Sequence, residues 1–401
     1  MFSHKQLFLK HLAQTTNSPL ALEIVKANGI HLIDSNGKRY IDLISGIGVS
    51  NTGHRPKRVI NAIRKQLGKY LHTMVYGEYV QIPQVKLGKL LADYLPEGLD
   101  TSYFVNSGSE AIEGALKLAK RSTGRKKIIA MKNAYHGSTH GALSLMDNPY
   151  FSEAYQPLLP NVEFISFNKL EELSQIDQQT ACVVVEPVQG EAGYLPAEKA
   201  WIQALRNKCS ETGALLILDE IQSGMGRTGS MFAFEAYDIV PDILCVAKAF
   251  GAGLPLGAFI SSDERMKTLS YEPILGHITT FGGHPLSCAA AYENFKLLSS
   301  SELISAVEEK EKLFKNLLGN ISMIKNISGK GLMLKIGFAN EDQVQAVIAY
   351  CLEHGLIIDW FLYDAAALRI APPLTMTLKE IKHACKIITA ACEKLTPPYQ
   401  T

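Results

Sequence analysis

The sequence predicts an α/β protein, in which a large domain on a mostly parallel sheet, covered on both faces, is followed by a smaller α+β domain. Three observations carry that expectation. From about residue 100 to 260, short apolar runs without polar alternation follow one another, several joined by helical patterns, as strands buried on both faces require. After Pro285 the pattern turns to long helices and then short strands. The length of 401 residues also exceeds what one hydrophobic core usually supports, so two subdomains are expected.

Each element has its own justification. The first fifty residues hold GIHLIDSNGKRYIDL, two strand-like runs around Asn36-Gly37, a hairpin expected to pack with the smaller domain. TSYFVNS is the first buried strand, and SEAIEGALKLAKR after it is an amphipathic helix. KKIIAM, VEFISF and ACVVVEP follow as strands. The helix AEKAWIQALRNKCSETG ends at Gly213, where a glycine takes the left-handed turn that closes a helix. ALLILDE, ILCVA and PLGAFI complete the sheet. Beyond Pro285, SCAAAYENFKLLSS and SELISAVEEKEKLFKNLLGN read as helices. GLMLKIGF and AALRIAPP read as strands, with one further helix between them and one after. The resulting division is an N-terminal segment 1–50, a large domain 51–283 and a small domain 284–401.

Composition narrows the function. The chain is 47% hydrophobic and 20% charged, with a net charge of +1, and it carries no basic run. Neither a nucleic acid nor an anionic membrane is an expected partner. Seven cysteines are an odd, scattered set without C-x-x-C spacing, which points to a reducing cytoplasm and to no metal site. The N-terminal MFSHKQLFLKHLAQ interrupts its apolar residues with charge too often for a secretory leader.

One stretch stands apart. ILCVAKAFGAGLPLGAFI holds a single charge, Lys248. A membrane span is excluded by four helix-breaking residues in its second half and by the cost of a central lysine, of order 2.5–3.5 kcal/mol. What remains is a lysine that snorkels to water or an amine kept for its chemistry, since burial favours the neutral, nucleophilic form.

Ligands of open α/β sheets sit at the carboxyl ends of the strands, so the polar residues there are the candidates for a site. FVNSGSEAIEG passes through Ser107, Gly108 and Ser109 into a helix whose N-terminus suits a phosphate, although any helix needs a cap. Asp219 and Glu220 end the strand ALLILDE, where a carboxylate could hold a metal, orient a base, cap a turn or pair with a cationic ring nitrogen. G-M-G-R-T-G at Gly224–Gly229 matches the dinucleotide pattern by letter only, because no helix opens after it. Tyr135 and His136 follow another strand beside a glycine, placed to stack on a planar ligand or to fill a seam. Glu186 and Glu191 leave the strand VVVEP; the architecture speaks against a glycosidase pair. Arg369 lies inside the apolar LRIAPPL and calls for a carboxylate partner, from protein or substrate. A phosphate cradle, an aromatic ring, a carboxylate for a ring nitrogen, a buried lysine and an arginine together match one cofactor, pyridoxal 5′-phosphate.

In order and spelling these motifs resemble the class III aminotransferases, the ornithine-type subgroup. The resemblance runs from about Leu32 to Pro373 and is densest in LLILDEIQSGMGRTG and PDILCVAKAFGAGLPLGA. It implies the type I fold of pyridoxal-phosphate enzymes and a homodimer with active sites at the interface. By position, Lys248 would bond the cofactor aldehyde and, once released, move a proton between substrate and cofactor. Asp219 would pair with the ring nitrogen, Gln222 would lie near the phenolic oxygen, and Tyr135 would stack on the ring. Ser107, Gly108 and Ser109 would hold the phosphate, helped by Thr280 of the other subunit. Glu186 would support the site behind His136 and Gln222. Glu191 and Arg369 match a gate pair, the arginine binding an α-carboxylate and the glutamate masking it when an ω-amine enters.

The chain departs from the pattern in three places. Ser138, in YHGSTHG, stands where relatives that use 2-oxoglutarate carry arginine. Ile47 stands where ornithine enzymes carry tyrosine, which fits acetylornithine or 4-aminobutyrate better. His284 replaces the asparagine of FGGNP. The implied activity is transamination of ping-pong type, from an ω- or δ-amine to a 2-oxo acid such as 2-oxoglutarate. The alternatives are a racemase or epimerase on the same scaffold and a binding protein that has kept the fold without activity.

Overall fold

The computed structural model describes residues 2–395; residue 1 and residues 396–401, the outer ends of the two terminal segments, lie outside them. Helix α1 (His4–His11) is capped reciprocally by Ser3 and Gln6. Strands β1 (Ile24–Asn28), β2 (His31–Asp34) and β3 (Arg39–Asp42) form an antiparallel meander. Between β2 and β3, Asp34 accepts hydrogen bonds from the backbone N–H of Asn36 and Lys38, and Gly37 takes φ 80°. This tightens the turn through a side chain rather than through a two-residue loop. Helices α2 (Lys57–Leu67) and α3 (Ile82–Tyr94) lead into the large sheet.

That sheet has seven strands. In chain order they are β4 (Thr101–Val105), β5 (Lys127–Met131), β6 (Val162–Ile165), β7 (Thr180–Val185), β8 (Leu215–Asp219), β9 (Ile243–Val246) and β10 (Gly257–Ser261). Helix α4 (Gly108–Thr123) follows β4, and α5 (Lys199–Thr212) precedes β8. The spatial order is β4-β10-β9-β8-β7-β5-β6. Only β10 runs against its neighbours; the pairs from β9 to β6 are parallel. Alternate residues of one strand serve different cores. Leu215 and Ile217 pack with Ile112, Leu116 and Ala119 of α4, while Leu216 and Leu218 pack with Trp201, Ile202 and Leu205 of α5. Both faces are therefore dry, which is why these strands read as unbroken apolar runs. Gly213 closes α5 at φ 70°.

Beyond the sheet come α6 (Pro285–Ser299), α7 (Val307–Leu318), β11 (Asn326–Lys330), β12 (Met333–Gly337), α8 (Glu341–Glu353), β13 (Leu356–Ile357), β14 (Asp359–Trp360), β15 (Ala367–Ile370) and α9 (Leu378–Leu395). Helix α7 starts later than its apolar pattern predicts, because residues 301–306 form turns. Strand β13 adds in parallel to β3, and the N–H of Ala371 donates to the Leu43 carbonyl. The N-terminal meander is thereby stitched to the C-terminal part of the chain. The seven cysteines are buried. No helix among the described residues is long and apolar enough to cross a membrane.

Candidate active site

A cavity of about 420 Å³ opens at the carboxyl ends of the parallel strands, large enough for a small planar ligand. Each chemically useful side chain arrives just past a strand. Ser107 follows β4, Tyr135 and His136 follow β5, Glu186 follows β7, Asp219 ends β8 and Lys248 follows β9; all six line the cavity, as do Gly108, Ser109 and Gln222.

The anion end is the start of α4. Ser107 caps the helix, its hydroxyl accepting from the Glu110 N–H at 3.2 Å. Glu110 does not close the box on Ser107; its carboxylate reaches one residue further, to the N–H of Asn106 at 2.6 Å. The first-turn N–H groups of a sixteen-residue helix remain for an anion. Neither glycine here leaves room for a Cβ unless a neighbour moves. A Cβ at Gly108 would come 2.9 Å from the Ile221 side chain, and one at Gly137 would overlap the Ser109 hydroxyl.

The opposite end is a buried acid–base cluster. His136 Nδ1 lies 2.7 Å from Asp219 Oδ2, and Asp219 Oδ1 accepts from the Ile221 N–H at 3.0 Å. Burial alone would lower the imidazole's pKa; hydrogen bonding to Asp219 and the charges of Asp219 and Glu186 outweigh it and hold His136 above its ordinary value. Its Nε2 is buried without a partner among the described residues. Glu186 accepts from the N–H groups of Gly190, at 2.9 Å, and Tyr135, at 3.2 Å. Burial, reinforced by Asp219 and opposed by His136 and the two N–H groups, pushes Glu186 up to about 7.

Lys248 sits between these ends with its backbone at φ 48°. Burial lowers its pKa, with the Arg369 charge adding to the effect and Glu191, Asp219 and Glu186 opposing it. Its amine makes no ion pair or hydrogen bond with the described residues. Such an amine is placed to act as a nucleophile and as a proton carrier.

Glu191 and Arg369 lie outside the cavity wall but within electrostatic reach of Lys248. They form a buried ion pair, Arg369 Nη2 donating to Glu191 Oε2 at 2.6 Å. Ser138 also lies off the wall, its hydroxyl 3.2 Å from that of Tyr135. Ile47 is half-buried at φ 61°, beside Gly48, which abuts the Gln222 side chain. Thr280 is exposed and lies away from the cavity of its own chain.

Three lining or supporting residues escaped the sequence reading. Asn106 and Ile221 line the cavity, and only their adjacency to Ser107 and Glu220 could have flagged them. Tyr194 is fully buried and donates to Gln222 Oε1 at 2.8 Å; as a lone aromatic in a loop it gave no periodic signal. Two features are structural. His284 caps α6, its Nδ1 accepting from the Leu286 N–H at 3.3 Å. In G-M-G-R-T-G the glycines make turns around Arg227, which is wholly buried and donates to the carbonyls of Leu332 and Pro372 and to Asn51 Oδ1.

The comparisons with known proteins agree with this geometry. Residues 12–392 match the model of the family described as aminotransferase class III. The acetylornithine aminotransferase of Methanocaldococcus jannaschii is 40% identical over 94% of each chain. The LysW-aminoadipate semialdehyde/glutamate semialdehyde transaminase of Sulfolobus acidocaldarius is 36% identical over 93% of this chain and 95% of its own. Among solved structures, the ornithine aminotransferase of Toxoplasma gondii superposes with a TM-score of 0.90 at 28% identity, covering 97% of this chain and 93% of that one. That enzyme carries pyridoxal phosphate at partial occupancy in its active site.

Proposed function

The chain belongs to the class III aminotransferases, pyridoxal-phosphate enzymes of the type I fold, and from that premise we propose that it transfers nitrogen from an ω- or δ-amine of the acetylornithine type to a 2-oxo acid, in two alternating half-reactions. The observation that carries this reading is the closed Glu191–Arg369 pair beside Lys248. A site that must take an ω-amine in one half-reaction and an α-carboxylate in the other needs an arginine that can be masked. A racemase, which binds one carboxylate throughout, has no use for the mask.

The residues present fit the cofactor. The N-terminus of α4 with Ser107, Gly108 and Ser109 suits its phosphate, Tyr135 and Ile221 offer apolar surface to its ring, and Asp219 offers a carboxylate to its ring nitrogen. Pyridoxal phosphate, when bound, supplies an aldehyde that exchanges oxygen for nitrogen and a ring that takes up an electron pair. The protein's own part is proton control and orientation. Asp219, held by His136 and the Ile221 N–H, would keep a proton on the ring nitrogen. Lys248, with its lowered pKa, would take the proton from the substrate carbon that bears the nitrogen onto Nζ and deliver it to the cofactor carbon that carried the aldehyde. Gln222, whose carbonyl is engaged by Tyr194, would have its amide N–H to offer to the phenolic oxygen. Arg369 receives the α-carboxylate once Glu191 leaves it.

The division at residues 50 and 283 belongs to the same proposal, as does a homodimer in which Thr280 reaches the partner's phosphate site. Seven buried cysteines, scattered along the chain, fit a reducing cytoplasm. The acetylornithine and LysW-aminoadipate semialdehyde/glutamate semialdehyde enzymes among the relatives favour N-acetylornithine, or another amine whose product is a semialdehyde, as the donor. The test is the absorption spectrum of cofactor-loaded protein mixed with one amine at a time and no oxo acid. N-acetylornithine, ornithine, lysine, 4-aminobutyrate and glutamate are the candidates, glutamate because Ser138 stands where an arginine would grip its distal carboxylate. Bleaching of the visible cofactor band names the donor. A persistent band with solvent deuterium entering an amino acid's α-carbon would instead establish the racemase.

A further inference from the structure

We propose that Tyr194 is a positioning residue that links the Glu191–Arg369 pair to Gln222 through one rigid ring, so that the state of the carboxylate gate is felt at the reacting end of the site. This rests on the transaminase reading above and deepens it.

Tyr194 is 0% exposed and its backbone stands at φ 50°. A non-glycine residue stays in that left-handed region only where its surroundings over-determine it. The ring is held on three sides. Its hydroxyl donates to Gln222 Oε1 at 2.8 Å. Its face carries the Arg369 guanidinium, 5.7 Å from the ring centroid. Its edge meets Phe361 at a centroid distance of 4.9 Å and an interplanar angle of 87°, and Phe361 in turn lies 4.8 Å from the same guanidinium.

This arrangement has two consequences. Arg369 is 2% exposed, and its Nε has no partner among the described residues. When Glu191 swings away, the cation would lose its ion pair and keep the hydrogen bond from Nη2 to the Trp360 carbonyl, 3.2 Å, with the Asp359 charge nearby; two aromatic faces add negative charge density that helps to keep it in place. The second consequence lies at the other end. Gln222 has its oxygen occupied by the Tyr194 hydroxyl, so only its NH2 group is left to face the cavity. That NH2 group is seated against Gly190, where a Cβ would approach Nε2 to 2.7 Å. Burial pushes the Tyr194 hydroxyl up to about 12, so it remains a donor throughout the pH range in which the enzyme works. Any shift of Arg369 on the ring moves the hydroxyl that fixes Gln222.

The test uses the holoenzyme and two readouts. One is the pH midpoint of the resting cofactor's visible band; the other is the rate of each half-reaction in single turnover. Tyr194→Phe keeps the ring and deletes the hydroxyl. It is expected to move the spectral midpoint and to slow both half-reactions roughly three- to tenfold, with the apparent affinity for the 2-oxo acid unchanged. Arg369→Lys is expected to move the midpoint by itself but to add nothing in the Tyr194→Phe background. Phe361→Leu, which leaves Tyr194 and Gln222 whole, serves should Tyr194→Phe fail to fold; it is expected to weaken the 2-oxo acid several-fold and to move the midpoint in the direction that Arg369→Lys does. Wild-type midpoints in Tyr194→Phe, strict additivity in the double variant, or a pure affinity loss in Phe361→Leu would each overturn the link. Failure of the transaminase reading looks different, since then no amine bleaches the wild-type band.

Discussion

At Lys248 the backbone takes φ 48°, a conformation that costs a non-glycine residue on the order of 1–3 kcal/mol. The strain turns the side chain out of the strand direction of β9 and into the cavity. The amine then stands among three carboxylates and one guanidinium that act on its charge in opposite senses. Lys248→Ala is expected to keep the fold and bind the cofactor without a covalent bond. Its half-reaction with any amine should fall by on the order of 10³-fold, measured in single turnover. A second residue makes a cleaner pH experiment. Glu220 is buried, accepts from the N–H groups of Ala233 at 2.6 Å and Phe234 at 2.7 Å, and is pushed by burial up to about 8. Its folded pKa is raised, so the stability it contributes is complete below the ordinary carboxyl range and is lost as pH rises towards 8. Glu220→Gln should therefore show a flatter decline of urea midpoint between pH 5 and 8, by about one proton's worth of slope; an unchanged slope would show that Glu220 is ionised in the fold. Lys248, Asp219 and Ser107 were legible because each interrupts or ends an apolar strand, where a polar residue needs a reason. Tyr194 was not, because its importance comes from partners 28 and 175 positions away, Gln222 and Arg369, which no local pattern records.

Elements show the same division between local and distant causes. The seven strands of the large sheet could be read from sequence because burial on both faces leaves one kind of residue in them. The start of α7 could not, since the apolar spacing of residues 301–306 continues into turns. Helix α4 and strand β10 meet at a contact with opposing effects. Gly114 is buried in mid-helix, where alanine would gain about 1 kcal/mol of propensity. A Cβ there would come 2.2 Å from the Phe259 ring, an overlap that typically costs 1–3 kcal/mol. The steric effect should win: Gly114→Ala is expected to lower the thermal midpoint, and Phe259→Leu in the same chain to restore part of it. Helix α6 tests a different term. His284 performs a capping role usually given to asparagine, aspartate or serine, and its bond to Leu286 is long at 3.3 Å. His284→Ala is expected to cost about 1 kcal/mol, whereas His284→Asn should be neutral or stabilising by thermal denaturation. Loss of activity in a fully stable His284→Asn would point instead to a part for this imidazole in the reaction.

At the scale of the whole molecule, the sequence carried the reaction class further than the substrate. The candidate cofactor residues stand at the carboxyl ends of strands of one sheet, whereas the candidates for substrate choice, Ile47, Ser138 and Arg369, come from distant segments and lie off the cavity wall. One surface, away from the cavity, points beyond the single chain. Leu71, Met74, Tyr79, Val80 and Ile82 are exposed on one stretch, and Ile274, Leu275, Ile278 and Phe281 on another, Val80 to 88% and Ile274 to 75%. The two stretches touch, through the rings of His72 and Phe281 at 4.9 Å and the N–H of Tyr76 donating to the Thr279 carbonyl at 3.3 Å. A continuous apolar surface of this kind is a mark of association. Thr280 lies within it, exposed and away from its own cavity, where a partner's phosphate site could use its hydroxyl. The expected outcome is a dimer in sedimentation. Val80→Asp together with Ile274→Asp should shift it towards monomer, without unfolding since both side chains lie on the surface. Monomers should then release the cofactor more readily, because the α4 cradle would lack the partner's hydroxyl. Thr280→Val in an intact dimer should reproduce the weaker cofactor binding without the dissociation. If the monomeric variant holds the cofactor as tightly as the wild type, each chain closes its own site and Thr280 has no part in it.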